Sequence, residues 1–271
     1  MSKNKIPVLI TGGFGYIGSH IAKMLVKQGM RPVVYNRGEC KLPFIEENCD
    51  IVIGDIRDTY LLTETLKTHK IETVIHLGAS ISVPESLEKP ELYYENNVGS
   101  TLSVLKAMIA ADVKNIVFSS TAAVYGVPKQ ALIYETFQTD PINPYGQTKL
   151  MCEKMIHDMA RAHDLNYVVF RYFNAVGSDP DGEVGSMRQK PSNLFPLTMM
   201  AAMGKIDKLH VYGRDYNTHD GTAIRDYIHV NDLASAHVAA LKYVAEGGDN
   251  AVLNLGTGRG HSVLEVIEMV E

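Results

Sequence analysis

Short apolar runs alternate along most of this chain with segments whose apolar residues recur at helical spacing. Residues 6–10, 32–35, 50–53, 73–77, 115–119 and 167–171 are brief runs rich in Val, Ile, Leu, Phe and Tyr, and they predict buried strands. Between them lie helical patterns. The clearest are residues 19–28, with Ile17, Ile21 and Leu25 in register, and a stretch that carries Val98, Leu102, Leu105 and Ile109 on one stripe. Strand and helix in turn predict an α/β fold, a doubly wound parallel sheet with helices on both faces. In such sheets ligands gather beyond the carboxyl ends of the strands.

The pattern changes after Asn174. Residues 178–196 are rich in Gly, Pro, Asn and Asp, which predicts loops of a smaller, inserted region. A helical pattern returns at 232–244 and a strand at 251–255, so the smaller unit is interleaved with the larger one. The expected division is 1–176 plus about 226–257 for the larger unit and 177–225 plus 258–271 for the smaller. Ser262-Val-Leu-Glu265 reads as a capping box that opens a helix with Val263, Val266, Ile267 and Val270 on its apolar face. That helix has nothing downstream to pack against, and the expectation is a natural protein longer than this chain.

Composition narrows the function. With 271 residues, 45% of them hydrophobic, the chain can bury a substantial core. Its net charge of -5 argues against a general nucleic-acid or acidic-membrane surface, so an anionic ligand has to be held by local groups. The opening Met1-Ser-Lys-Asn-Lys5 is polar, and no apolar run is long enough to span a bilayer. Cys40, Cys49 and Cys152 lack metal-ligand spacing, and the histidines form no paired ligand motif. Reduced thiols, a cytoplasmic location and no metal site are expected.

Two patterns carry chemistry. Thr11-Gly-Gly-Phe-Gly-Tyr-Ile-Gly18 joins a strand to a helix, the order a dinucleotide pocket requires. Gly12 allows the tight turn, Gly15 lets backbone approach a pyrophosphate, and Gly18 lets helix and strand lie close. The amides at the helix N-terminus then face the phosphates. The larger unit is accordingly the dinucleotide-binding domain of a Rossmann-like fold.

The second pattern, Tyr-x-x-x-Lys, occurs at Tyr125/Lys129 and at Tyr145/Lys149. The first copy contains Gly126 and Pro128 and predicts a turn. The second follows Asn143-Pro144, an N-cap residue and a proline suited to the first helical position, so Tyr145 and Lys149 are neighbours on one face. A free phenol has a pKa of about 10, and a nearby ammonium lowers it toward what a general base needs.

Together with Gly54-Asp-Ile-Arg57, Tyr94-Glu-Asn-Asn-Val98, Ser119-Ser-Thr-Ala-Ala-Val-Tyr-Gly126, Arg171-Tyr-Phe-Asn174 and Arg225-Asp-Tyr-Ile-His229, these patterns resemble the extended short-chain dehydrogenase/reductases. Within these they resemble the NAD-dependent epimerase/dehydratase type, and more narrowly the UDP-glucose 4-epimerases. The likeness runs through essentially the whole chain in family order.

The resemblance implies NAD as cofactor and a UDP-sugar as substrate. Tyr16 and Ile17 would lie by the pyrophosphate, Asp55 and Ile56 by the adenine, and Leu77, Gly78, Ala79 and Ile81 along the cofactor. Asn97, Lys149 and Phe173 would lie near the nicotinamide riboside, with Ser119 and Tyr145 in the same cofactor set. Thr121 would hydrogen-bond the reacting sugar oxygen, and with Tyr145 and Lys149 it forms the catalytic group. Asn174, Asn193, Leu194, His210, Val211, Tyr212, Arg225 and Tyr227 match positions that hold the uridine diphosphate. Arg225 suits a diphosphate, yet next to Asp226 it equally suits a surface ion pair. The smaller unit would be the nucleotide-sugar-binding domain. A homodimer through the helices near Leu102 and Met155 is implied in the same way.

The same resemblance separates reactions. Dehydratases of the superfamily carry an Asp-Glu pair where this chain has Ala122 and Ala123, and related enzymes that deprotonate carbon use Cys and His, which the Ser-Ser-Thr run does not supply. What remains needs one proton acceptor and one hydride acceptor: inversion at C4 through a keto sugar, interconverting UDP-glucose and UDP-galactose.

Two departures keep alternatives open. Where NAD-dependent members usually end the second strand in aspartate, this chain has Asn36 and Arg37. Loss of that charge and gain of a guanidinium make NADP the alternative cofactor and a nucleotide-sugar oxidoreductase an alternative function. The family's closing Arg-x-x-Asp segment is absent, which keeps a cofactor-binding module without turnover as a third reading.

Overall fold

The structure, a computed structural model, describes residues 6–187, 191 and 193–270. The polar opening at 1–5, part of the loop stretch at 178–196 and Glu271 lie outside the described residues.

Among the described residues, ten strands form two sheets. The larger has seven parallel strands in the order β3-β2-β1-β4-β5-β6-β9: β1 (Val8–Thr11), β2 (Val33–Asn36), β3 (Asp50–Ile53), β4 (Thr73–His76), β5 (Asn115–Thr121), β6 (Asn166–Tyr172) and β9 (Ala251–Leu255). Every strand expected from the apolar runs is present, with ends moved by up to two residues.

The runs are apolar without a break because both faces of the sheet are covered. Successive side chains point to opposite faces, so Leu9 packs with Leu62 and Leu66 of α3 (Thr59–Thr68), Leu105 and Met108 of α6 (Ser100–Ala110) and Ile156 of α7 (Pro144–His163). Its neighbours Val8 and Ile10 pack on the other side with Ile21 and Leu25 of α1 (Tyr16–Lys27), Ile45 of α2 (Pro43–Asn48), and Val238 and Leu241 of α9 (Val230–Ala245). Fully burying a side chain of this size contributes about 1.5–3 kcal/mol, which commits these runs to interior strands.

Between β4 and α6 the chain makes two short helices, α4 (Val83–Glu88) and α5 (Pro90–Tyr93), and then a wide π-helical turn at Tyr94–Gly99. Val98 therefore precedes α6, and the residues that α6 buries best are Val104, Leu105, Ala107 and Met108, while Leu102 and Ile109 are only half-buried. The expected stripe is rotated because the wider turn resets the helical phase.

The smaller sheet has the order β10-β8-β7, with β7 (Asn174–Val176) parallel to β8 (Ile224–His229) and β8 antiparallel to β10 (Gly260–Ser262). It grows from the carboxyl ends of the large sheet, since β7 follows β6 and β10 follows β9. Its strands draw on 174–176 and on all of 224–229, residues the sequence assigned partly to the larger unit. Two helices accompany it, α8 (Leu194–Ala202) and α10 (Val263–Glu268). The second opens on the expected capping box: the Ser262 hydroxyl accepts from Glu265 N at 3.1 Å, and the Glu265 carboxylate accepts from Ser262 N at 2.7 Å. Among the described residues, no helix is long and apolar enough to cross a membrane.

Candidate active site

A cleft of about 2430 Å³ runs beyond the carboxyl ends of β1, β2, β4, β5 and β6 and under the smaller sheet. At its floor is the glycine turn. Gly12 has φ +73°, and a Cβ at Gly18 would stand 2.5 Å from the Gly12 carbonyl oxygen and 2.7 Å from the Gly13 Cα. Only glycine lets α1 start this close to β1. The Thr11 hydroxyl bonds His76 Nδ1 at 2.7 Å and accepts from Gly78 N at 3.3 Å, which draws the 77–79 segment beside the turn.

These residues suit a dinucleotide. No side chain caps α1 and its first turn carries no acidic residue, so its leading amides and positive dipole end are left for an anion. A Cβ at Gly15 would meet only the Gly12 carbonyl oxygen, at 3.1 Å, so bare backbone faces the cleft there. Gly12, Gly15, Tyr16, Ile17, Gly18, Asn36, Arg37, Asp55, Ile56, Leu77, Gly78, Ala79, Ile81 and Phe173 all line the cleft.

At the adenosine end the charges are arranged locally. Arg57 donates to the Asp55 carboxylate at 3.0 Å and 2.7 Å and holds its pKa down at about 2. Asn36 Nδ2 donates to the Arg37 carbonyl at 2.8 Å, and Arg37 makes no ion pair among the described residues.

Over the centre of the cleft stands α7. Its start is set as expected: the Asn143 side chain accepts from Gly146 N at 2.8 Å, with Pro144 in the first turn. Gly146 lies against the turn that follows β5, where an added Cβ would be 2.7 Å from the Ala123 carbonyl oxygen. That close approach puts Tyr145 beside Thr121, and Thr121, Tyr145 and Lys149 line the same cleft.

The electrostatics depart from the sequence expectation. Lys149 Nζ donates to the Ser119 carbonyl at 2.8 Å and lies 4.8 Å from the Phe118 ring centroid, and burial lowers its pKa to about 8. The Tyr145 phenol is pushed up by burial, an effect that a hydrogen bond with Thr121 only partly opposes. The expected lowering of the phenol by the ammonium is therefore absent: burial dominates, and the opposing influence is the hydrogen bond with Thr121.

Not every expected residue reaches the cleft. Asn97 is buried behind α7, where Nδ2 donates to the Thr148 hydroxyl at 3.0 Å and to Ser80 O at 3.1 Å. Ser119 is buried beneath Lys149, with its hydroxyl 3.1 Å from His237 Nε2. Both brace the site from behind. His210, Val211 and Tyr212 lie off the cleft lining, and Tyr212 is 85% exposed. Their segment has no regular structure to carry it inward.

The remaining substrate candidates, Asn174, Asn193, Leu194, Arg225 and Tyr227, do line the cleft with Thr121. The Asp226 carboxylate accepts from Thr257 N, Thr257 Oγ1 and Gly258 N at 2.8–3.0 Å, so it fastens the turn after β9. Arg225 donates to the Ile224 carbonyl at 2.8 Å and makes no ion pair among the described residues, which resolves the open choice against a pairing with Asp226. The sequence reading passed over Tyr172. It lines the cleft, its phenol is pushed up by burial with Tyr145 close enough to add to the shift, and it hydrogen-bonds Ser119. Strand alternation from Phe170 was the available signal.

Comparison with known proteins agrees with this geometry. The model of the NAD dependent epimerase/dehydratase family matches residues 8–256. A UDP-glucose 4-epimerase of Halalkalibacterium halodurans is 47% identical over 262 residues, which cover 97% of this chain and 78% of the relative. The crystal structure of UDP-glucose 4-epimerase from Brucella ovis in complex with NAD superposes with a TM-score of 0.93 at 49% identity, over 97% of this chain and 81% of that one. The enzyme of Bifidobacterium longum in complex with NAD+ and UDP gives 0.91 at 40% identity over the same shares. With half its residues or more matched by the family model and relatives of this identity, the chain belongs to the NAD-dependent epimerase/dehydratase family.

Proposed function

We propose that this protein is a nucleotide-sugar 4-epimerase, an isomerase that interconverts UDP-glucose and UDP-galactose with NAD held in the cleft. The observation that carries the reading is the pairing of Tyr145 with Thr121 on a wall whose adjoining side chains are Ala122 and Ala123. One proton acceptor, with no acid and base beside it, suits removal of a hydroxyl proton and does not suit elimination of water.

In this mechanism the Tyr145 oxygen takes the proton of the sugar 4-hydroxyl, and Thr121 orients that hydroxyl. When bound, NAD supplies a hydride acceptor and donor for the sugar C4. The Lys149 ammonium, fixed by the Ser119 carbonyl, stabilises the Tyr145 phenolate, the form that accepts this proton and is neutralised by it. Arg225, Asn174 and Tyr227 hold the diphosphate end while the 4-keto sugar turns its other face, after which Tyr145 returns the proton. Gly12, Gly15 and Gly18 with the α1 amides hold the cofactor's pyrophosphate, and Asn36, Asp55 and Ile56 hold its adenosine.

The relatives' printed ligands, NAD and UDP, support both halves of this assignment. The same reading includes a homodimer through Leu102 of α6 and Met155 of α7, both half-buried, and a cytoplasmic location suited to three free cysteines. The test is to incubate purified protein with UDP-galactose, follow UDP-glucose by proton NMR and identify the cofactor released by acid. Conversion with NAD released is expected. A protein that carries NAD and leaves UDP-galactose unchanged would refute the proposal.

A further inference from the structure

A second charged cluster lies outside the groups used above. On α1, two turns beyond Tyr16, the Lys23 side chain is 4% exposed, and its Nζ meets three carboxylates of one loop. It stands 2.7 Å and 2.6 Å from the Asp179 oxygens, 2.8 Å from Asp181 and 2.7 Å from Glu183. Asp179 is as buried as the lysine, and its carboxylate also accepts from Glu183 N at 2.8 Å and Val184 N at 3.3 Å, which ties the turn to itself. The Phe44 ring, 5.6 Å from the ammonium, covers the pair from α2.

The residues flanking this turn on either side, Gly177 and Ser178 before it and Gly185, Ser186 and Met187 after it, line the cleft. The Tyr16 phenol donates to the Gly177 carbonyl at 2.5 Å, so the loop is fastened to α1 at both ends of the helix's first two turns. A buried ammonium with three carboxylates is a large electrostatic commitment for a loop. Without the cation, a buried carboxylate and two like charges would be left together.

We propose that Lys23 is a positioning residue that clamps the 177–187 loop against α1 and so keeps the dinucleotide from escaping between turnovers. The proposal rests on the NAD-dependent reading given above. It requires Lys23 to act through the loop, with no contact to the cofactor itself.

The test compares wild type, Lys23→Met, Lys23→Arg and Lys27→Met, the last removing the exposed partner of Asp181. Exchange of bound NAD for labelled NAD is timed, and epimerisation is measured with and without added NAD. Lys23→Met is expected to exchange NAD about thirtyfold or more faster and to regain activity when NAD is supplied. Lys23→Arg should restore slow exchange, and Lys27→Met should match wild type. If Lys23→Met does not fold, the double variant Asp181→Asn/Glu183→Gln decides, with exchange about threefold faster. Unchanged exchange in Lys23→Met or in the double variant, or equal acceleration by Lys27→Met, overturns the clamp alone. A wild type that binds no NAD overturns the functional reading, and the clamp with it.

Discussion

Tyr125-Gly-Val-Pro-Lys129 and Tyr145-Gly-Gln-Thr-Lys149 share a spacing and little else. In the first, Pro128 prevents a helix, Gly126 takes φ +68°, and the Tyr125 phenol is spent: it donates to Asn254 Oδ1 at 2.8 Å and accepts from Arg171 at 2.9 Å. Arg171 stacks over the Tyr125 ring and pairs with buried Glu153 at 2.6 Å, and Ser120 donates to the same carboxylate. In the second, an N-cap and a proline start a helix whose Tyr145 lines the cleft and hydrogen-bonds Thr121. A phenol whose hydrogen bonds are all satisfied by protein stabilises the fold. One left facing a cleft is available for chemistry.

The sharpest break of this comparison is a pair of phenylalanine substitutions. Tyr145→Phe should lower kcat by about a hundred- to ten-thousandfold with NAD still bound. Tyr125→Phe should keep turnover and lose about 1–3 kcal/mol of stability, because buried Arg171 and Asn254 lose a partner. Steady-state rates with acid-released NAD, and urea unfolding, read the two effects. Next, Glu153→Gln should cost about 3–5 kcal/mol by leaving the buried Arg171 guanidinium without its counter-charge, visible as a lower midpoint in the same unfolding series.

A smaller effect depends on pH. Burial lowers the Lys149 pKa from 10.5 to about 8, so between these values the unfolded chain holds a proton that the folded one has released. Stability from this group is penalised below pH 8 and recovers as pH rises toward 10.5, by on the order of 3 kcal/mol at most. The difference in unfolding free energy between wild type and Lys149→Met should therefore shift in favour of wild type across that window. Smallest of the set is Gly146→Ala, whose methyl group meets the Ala123 carbonyl oxygen and should cost about 1–3 kcal/mol of stability. Its loss of kcat should exceed that of an alanine at Gly99, where a Cβ meets nothing within 4 Å.

The same contrast explains what could be read from the residues in advance. The seven-stranded sheet was legible because two-sided burial leaves unbroken apolar runs such as Val8 to Ile10, and the α7 start because Asn143-Pro144 is a local signal. The smaller sheet was not, since β7 and β10 have three residues each and no period can show in so short a strand. The glycine turn, Thr121, Tyr145, Lys149 and Arg225 were all placed on the cleft by local pattern or resemblance. His210 to Tyr212, expected by resemblance alone, lie off the cleft lining on a segment without regular structure, so local pattern gave no means of placing them. The Lys23 cluster was invisible for another reason: its partners lie more than 150 residues away along the chain.

The central claim is that one phenol moves a proton while hydride leaves and returns at the same sugar carbon. UDP-galactose deuterated at C4, turned over in ordinary water, tests it most directly. The account predicts UDP-glucose that keeps its deuterium at C4. Deuterium lost to solvent, with hydrogen in its place, would mean that the carbon is deprotonated and would contradict it.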